Sequence, residues 1–325
     1  MTIDTFVIGV DVGGTKTSVA ALHGENTGEP LVRPTALSSG ADLIAAIAAQ
    51  VETVAAGAAP EAVGVGIPSV VEFATGRARS SVNVPLQDVE LRAVLSERLG
   101  LPVFVDNDAT VAALAEAHDE QGRLDAHSLV MFTVGTGVGG GIVIDGRSYR
   151  GATGAAGEVG HMLVAIDESI PAPSRFPQPG SLESLAAGHV LDALAREAAL
   201  AHPDSALGRV LALRGAVGGP DAVQAAMDGD EVAAAAVAKL GRRLGVGVAN
   251  MINIFDPQVV AIGGGVSSAG ELLVGPARDV AREYVLPGVG TATEIRVARS
   301  GPQAGVRGAA LLARSELKRQ NGEAR

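Results

Sequence analysis

The segment Val105-Asp106-Asn107-Asp108-Ala109 sets two carboxylates and an amide side by side where a β-type run gives way to a helical one. Asn and Asp at such a junction cap a helix by accepting its first N–H groups, and one of the three meets that need. The surplus has chemical use. A carboxylate at a cleft-facing strand end can accept a hydroxyl proton while an amide beside it orients the hydroxyl's carrier. Further on, Glu158-Val159-Gly160-His161 follows the glycine-rich Gly154-Ala155-Ala156-Gly157. This is not H-E-x-x-H and offers no metal-binding helix face, but a carboxylate close to an imidazole suits vicinal hydroxyls. His23, His118, His127, His189 and His202 show no partner pattern and read as surface residues.

Three glycine clusters accompany these groups. The first, Asp11-Val12-Gly13-Gly14-Thr15-Lys16-Thr17, turns between two short β-type runs. Consecutive glycines let backbone N–H groups converge on an anion with no Cβ in the way, and Thr15 and Lys16 add a hydroxyl and a positive charge. Asp11, at the strand end, is placed to hold a hydrated Mg²⁺ beside phosphates. A plain Gly-Gly hairpin with a solvated aspartate has the same signature. It is no Walker A loop, since Thr15 separates Gly14 from Lys16 and a strand follows. The second cluster, Gly135-Thr136-Gly137-Val138-Gly139-Gly140-Gly141, matches G-x-G-x-x-G in letters. A dinucleotide fingerprint needs a helix to open at the glycines, whereas this one runs into Ile142-Val143-Ile144. Two such hairpins in equivalent places can grip one polyphosphate from both sides. The third, Gly263-Gly264-Gly265, lets a flat adenine or its ribose lie on backbone, though a simple strand-to-helix turn reads the same way.

These groups need a scaffold, and the composition supplies one. The chain has 325 residues, 47 % of them apolar but only 2 % aromatic, so its core is aliphatic. With 25 Lys+Arg against 36 Asp+Glu the net charge is −11, which opposes sequence-independent binding to nucleic acid or anionic membranes. The absence of cysteine excludes disulfides, thiolate metal sites and a catalytic thiol. Met1-Thr2-Ile3-Asp4 lacks a basic leader, and the apolar stretch 232–255 is broken by Lys239, Arg242 and Arg243. A soluble cytoplasmic protein is therefore expected.

Periodicity predicts strands at 5–10, 16–22, 62–67 and 103–106, with helices at 41–56, 91–99 and 110–118. The same succession then recurs. Strands fall at 128–134, 141–144, 259–262 and 294–297, and helices at 182–198, 221–227, 232–255, 271–284 and 304–317, before a frayed tail over 318–325. Two halves that each open on a hairpin with a glycine turn indicate a duplicated α/β fold with a cleft between the copies. The expected domains are 1–120 plus the returning 304–325, and 121–303.

In their order along essentially the whole chain, Asp11-Val12-Gly13-Gly14-Thr15-Lys16, Asn107-Asp108-Ala109, Gly135 to Gly141, Gly157-Glu158-Val159-Gly160-His161 and Gly263-Gly264-Gly265 carry a family likeness. By these segments the sequence resembles the ROK family of sugar kinases and sugar-responsive repressors. The resemblance implies the duplicated actin-like, hexokinase-type (ribonuclease H-like) fold, with ATP and sugar in the interdomain cleft, and a homodimer. It implies Asp108 as general base, with Asn107, Glu158, His161 and Glu183 on the sugar, joined by Gly66 and Asn83 from the first domain. Gly13, Gly14, Thr15, Lys16, Thr136 and Gly137 would meet phosphates, Gly263, Gly264 and Gly265 the adenosine, and Asp11 the Mg²⁺ through water. A branched side chain at Gly137 is then expected to weaken ATP binding more than sugar binding. Three departures stand out. Most members hold zinc with the counterpart of His161 and three cysteines, whereas residues 162–182 contain Pro171, Pro173, Pro177 and Pro179 but no cysteine, so no zinc site is expected. Ser69 replaces the family's glycine after Gly-x-Pro, and no Trp follows Asn83.

The expected activity is ATP-dependent phosphorylation of a hexose 6-hydroxyl, glucose first, with no nucleic-acid or membrane partner. N-acetylglucosamine, N-acetylmannosamine, fructose and secondary-metabolite sugars are alternatives. The rival class is a non-catalytic sugar-binding regulator. Against it, the first glycine turn starts about ten residues into the chain, leaving no room for a helix-turn-helix, and both Asp108 and that turn are kept.

Overall fold

The computed structural model of this chain describes residues 5–81, 83–165 and 176–322. The first four residues, the end of the expected frayed tail (323–325), and Pro171 and Pro173 lie outside the described residues. In chain order the elements are β1 (Phe6–Val12), β2 (Lys16–His23), β3 (Asn26–Thr27), β4 (Leu31–Pro34), α1 (Gly40–Ala55), β5 (Ala62–Ile67), β6 (Ser69–Glu72), β7 (Arg77–Ser81), β8 (Gln87–Val89), α2 (Leu91–Leu99), β9 (Val103–Asn107) and α3 (Asp108–Glu116). There follow β10 (Leu129–Val134), β11 (Val138–Ile144), β12 (Arg147–Ser148), α4 (Leu182–Ala186), α5 (Gly188–Ala201), α6 (Ala206–Arg214), α7 (Gly219–Met227), α8 (Glu231–Phe255), β13 (Val259–Gly263), α9 (Glu271–Tyr284), β14 (Glu294–Val297) and α10 (Ala304–Gln320).

The two main sheets repeat one pattern. The first runs β3-β2-β1-β5-β9, with β4 beside β2, and the second runs β12-β11-β10-β13-β14. In each an antiparallel hairpin flanks three parallel strands: β1, β5 and β9 in one, β10, β13 and β14 in the other. The inner strands read as near-continuous apolar runs because both faces are covered; all six residues of β5 are buried. The parallel register brings Asp11, Gly66 and Asp106 into one row across β1, β5 and β9, with Ile67 and Asn107 in the next. Open α/β sheets bind ligands at such carboxyl ends.

Within the first unit, α10 packs on this sheet at short range. Side chains on Gly9 or Gly64 would overlap the helix's own backbone, at the carbonyls of Val306 and Ala309, so only glycine admits the helix there. The cluster it closes includes Val7, Leu22, Phe104, Val111, Leu114 and Leu311. On the other side, Leu43, Ile47 and Val51 of α1 join Ile8, Val10, Val63 and Val65. Helix α1 is started by Ser39, whose side chain accepts the Asp42 N–H.

Several expectations need correction. The helix read over 182–198 is two helices, divided at Ala187, because the Gly188 N–H leaves the helical ladder to donate to Gly135 O at 2.7 Å. The three-stranded sheet β6-β7-β8 and helix α6 were not foreseen. Helix α10 continues through Gln320 instead of fraying from Lys318, held by the packing of Leu317 on the core and by an Arg319–Glu316 ion pair at 3.0 Å. The chain divides into one unit of Met1–Ser128, Gly141–Gly157 and Ser300–Arg325 and another of Leu129–Gly140 and Glu158–Arg299. Residues 141–157, expected in the second domain, thus group with the first; Arg150 bonds to Asp106 there. Among the described residues no helix is long and apolar enough to cross a membrane.

Candidate active site

In the first unit the site grows from strand ends. Asp108 is the first residue of α3, delivered by β9 and capped by Asn107, whose Oδ1 accepts the N–H of Ala109 at 2.9 Å and of Thr110 at 3.1 Å. Of the triplet, Asn107 is therefore the capping residue. Its Nδ2 donates to Ser69 O at 3.3 Å, and its side chain also hydrogen-bonds to the Asp108 carboxyl. Asp108 Oδ1 accepts the Ala109 N–H at 2.8 Å. Burial raises the Asp108 pKa above the ordinary carboxylate range, and these hydrogen bonds oppose the shift.

Asp11 lies one residue from the end of the largely buried β1 and is close enough to Asp108 for their charges to repel. Its carboxyl is pushed up to about 6, first by desolvation and then by Asp108, with Lys16 acting the other way. A Cβ on Gly305, in the first turn of α10, would overlap the Asp11 carboxylate, so a glycine makes room for the group. A hard oxygen donor in this setting fits Mg²⁺ held through water. The adjoining turn is closed by Gly13 N–H donating to Lys16 O at 2.9 Å and by Thr35 Oγ1 donating to Gly13 O at 2.7 Å. An anion would then be met by the donors of Gly14 and Thr15 and by the exposed Lys16. Asn83, also exposed, lies against Gly14. Gly66 is buried on β5, where a Cβ would press on Val111.

The second unit brings Glu158, His161, Glu183 and the second glycine turn together. Glu158 Oε2 lies 3.9 Å from His161 Nε2 across a short 3₁₀ turn. The His161 ring meets Phe176 edge-on, with centroids 5.2 Å apart, and its buried Nδ1 has no hydrogen-bond partner among the described residues. The excursion after His161 is closed at its base: Leu182 N–H donates to Met162 O at 2.9 Å and Val164 N–H to Gly180 O at 2.9 Å. These bonds return Glu183 to the neighbourhood of the turn, where its Oε2 accepts the Val138 N–H at 2.8 Å. Gly135 N–H donates to Gly137 O at 2.9 Å, so an anion here would be met by the N–H groups of Thr136 and Gly137. Gly263 ends β13, Gly264 turns with φ of 87°, and Gly265 opens a 3₁₀ turn.

Sequence reasoning missed three features. A side chain on Gly137 would overlap Glu183 Oε2, so this glycine serves the expected sugar contact as well as the phosphates. Asp106, left without a role, is 1 % exposed and pairs with Arg150 at 2.7 Å; desolvation raises its pKa while Arg150 opposes the shift. Nothing in local spacing signals Arg150. Histidines read as surface residues have partners: His118 Nδ1 lies 2.7 Å from Leu114 O, His189 Nδ1 lies 3.5 Å from Thr136 O, and His23 stacks on Phe6. No three His, Asp or Glu side chains converge on a metal position among the described residues. Zinc of the cysteine type does not fit, since the chain has no cysteine.

The repeated β-sheet pattern, with glycine hairpins at equivalent places, defines a duplicated hexokinase-type α/β fold of the actin-like kind. The chain belongs to the ROK family, whose family model it matches over residues 7–316. It is 35 % identical over 322 residues to a glucokinase of Halalkalibacterium halodurans, with 96 % of each chain covered. A ROK family glucokinase from Streptomyces griseus, solved with glucose and AMPPNP, is 32 % identical, with a TM-score of 0.79 over 95 % of this chain and 99 % of that one. A ROK hexokinase from Thermus thermophilus is 36 % identical, with a TM-score of 0.77 over 97 % and 100 %.

Proposed function

We propose that this chain transfers the γ-phosphate of ATP to the 6-hydroxyl of a hexose, with glucose as the first candidate. The observation that carries the reading is the Asp108 carboxylate. It opens α3 just beyond the aligned ends of β1, β5 and β9, within repelling range of Asp11, in a chain whose relatives include glucokinases.

Phosphoryl transfer asks for positioning and charge neutralisation more than for covalent work by the protein. Asp108 accepts the hydroxyl proton as the sugar oxygen attacks in line. The Asn107 amide, with Asn83, Glu158, His161 and Glu183, orients the sugar's hydroxyls. Backbone donors at Gly14, Thr15, Thr136 and Gly137, with the Lys16 ammonium, hold phosphate oxygens where charge develops. Gly263, Gly264 and Gly265 leave flat backbone for the adenosine. Bound Mg²⁺ supplies charge neutralisation, and Asp11 would hold it through water.

The test is a coupled ADP-release assay with Mg·ATP over glucose, fructose, glucosamine, N-acetylglucosamine and N-acetylmannosamine. Turnover with glucose at the highest kcat/KM is expected. Preference for an N-acetylhexosamine would move the substrate assignment. Binding of a sugar without turnover of any would return the chain to the regulators.

A further inference from the structure

We propose that Arg150 is a positioning residue for the catalytic base, acting through the buried carboxylate of Asp106; this rests on the assignment of Asp108 as the base. The two oxygens of Asp106 have divided duties. Oδ2 accepts the Arg150 Nε–H at 2.7 Å, and Oδ1 accepts the backbone N–H of Asn107 at 3.0 Å. Asn107 is the residue whose side chain caps α3 through Ala109 and Thr110, and Asp108 is the residue between cap and helix. Arg150 therefore stands at the start of a continuous run: guanidinium, buried carboxylate, backbone N–H, helix cap, base.

The guanidinium is itself fixed on its other sides. Its central carbon lies 3.5 Å from the Phe73 ring centroid, Nη1 donates to Ser148 O at 3.4 Å, and Nη2 is 3.8 Å from the Glu316 carboxylate. The backbone behind Phe73 is tied down in turn, since Arg92 donates to the carbonyls of Phe73 and Ala74. Three parts of the first unit thus meet at this guanidinium, which alone carries the contact on to Asp106: α10 through Glu316, the stretch after β6 through Phe73, and the stretch after β12 through Arg150 itself.

A planar guanidinium held over a ring and bonded on its other sides presents its Nε–H in one direction only, so it selects one rotamer of Asp106. That rotamer aims Oδ1 along the Asn107 N–H and sets the backbone where β9 turns into α3. Buried ion pairs contribute little net stability compared with apolar side chains of the same volume. A pair placed at the strand end that delivers the base is better accounted for by the orientation it imposes. A displacement of about 1 Å at a reacting group is enough to cost on the order of 10²-fold in rate.

The test compares Arg150→Met, Arg150→Lys and the double variant Asp106→Asn/Arg150→Met with the wild type in steady-state assays and thermal melts. The double variant leaves no orphaned buried charge, so it reads catalysis even where Arg150→Met fails to fold. For Arg150→Met and the double variant, kcat should fall about 10- to 100-fold while KM for ATP stays within about twofold of wild type, a split that lost stability alone would not produce. Arg150→Lys should recover most of the Tm but only part of kcat, because an ammonium cannot both sit over Phe73 and keep the directed Nε–H bond. Wild-type kcat in a folded double variant, or kcat that tracks Tm across the series, would overturn the proposal. Absence of turnover in the wild type itself would instead remove the kinase reading, and this proposal with it.

Discussion

Asp108 and Asp11 are carboxylates that the fold holds partly out of water and near one another, and this makes their substitutions informative in opposite ways. Asp108→Asn should lower kcat by about 10²–10⁴-fold and leave sugar binding by calorimetry within a few-fold of wild type; near-normal turnover in the folded variant would refute the base assignment. Asp11 has a folded pKa of about 6 against an ordinary value of 3.8. Its contribution to stability is therefore complete below about 3.8 and lost as the pH rises through about 6. Without Mg²⁺, Asp11→Asn should accordingly melt higher than wild type near neutral pH, by ~1–3 kcal/mol, with the gain shrinking as the pH falls from 6 towards 4. A gain that persisted unchanged into acid would show that the strain is not that of an ionised carboxylate. Gly137→Val brings a side chain onto Glu183 Oε2, so both sugar and ATP affinity should fall, where the sequence by itself pointed to ATP; calorimetry with each ligand on the folded variant separates the two outcomes.

At the scale of elements, α10 depends on the sheet having no side chains beneath it. Gly64→Ala would place a Cβ against the Ala309 carbonyl. Neither the strand nor the helix has room to withdraw, so the substitution should cost ~3 kcal/mol or more, seen as a large drop in Tm. Ser39→Ala, which removes only the cap of α1, should cost ~1 kcal/mol. If the two variants melted alike, the close approach of α10 would not be limiting. The strand–helix alternation was readable because inner parallel strands and amphipathic helices carry different apolar periods. The sheet β6-β7-β8 was not: its strands are short and polar, as in Arg77–Ser81. The break at Ala187 escaped notice because its cause, Gly135 O, lies in a distant part of the sequence.

For the whole molecule the absence of cysteine has a direct consequence. A zinc-selective chelator should leave turnover unchanged when Mg²⁺ is in excess, and elemental analysis of untagged protein should show no stoichiometric zinc. Zinc whose removal abolished activity would require a ligand set unlike the family's cysteines. Two packing features bear on how the region near His161 holds together without that cross-link: the edge contact of Phe176 on the imidazole and the backbone bonds from Met162 to Leu182 and from Val164 to Gly180. Neither is visible in residue spacing.

Residue types and order along the chain were enough to read an acidic, cysteine-free, aliphatic α/β protein with three glycine clusters and the Asp106-Asn107-Asp108 junction. These are local properties: a glycine turn, a cap and an apolar period are each encoded within a few neighbouring residues. Which of the three junction residues caps, which is buried and which opens the helix was decided by tertiary contacts, because Asp106 is assigned by Arg150, 44 residues away. The same holds for Gly137, whose need to be glycine is set by Glu183, 45 residues on from Val138. Charge pairing and steric exclusion act through space at a few ångströms, and spacing along the chain carries no record of which distant side chain will arrive there.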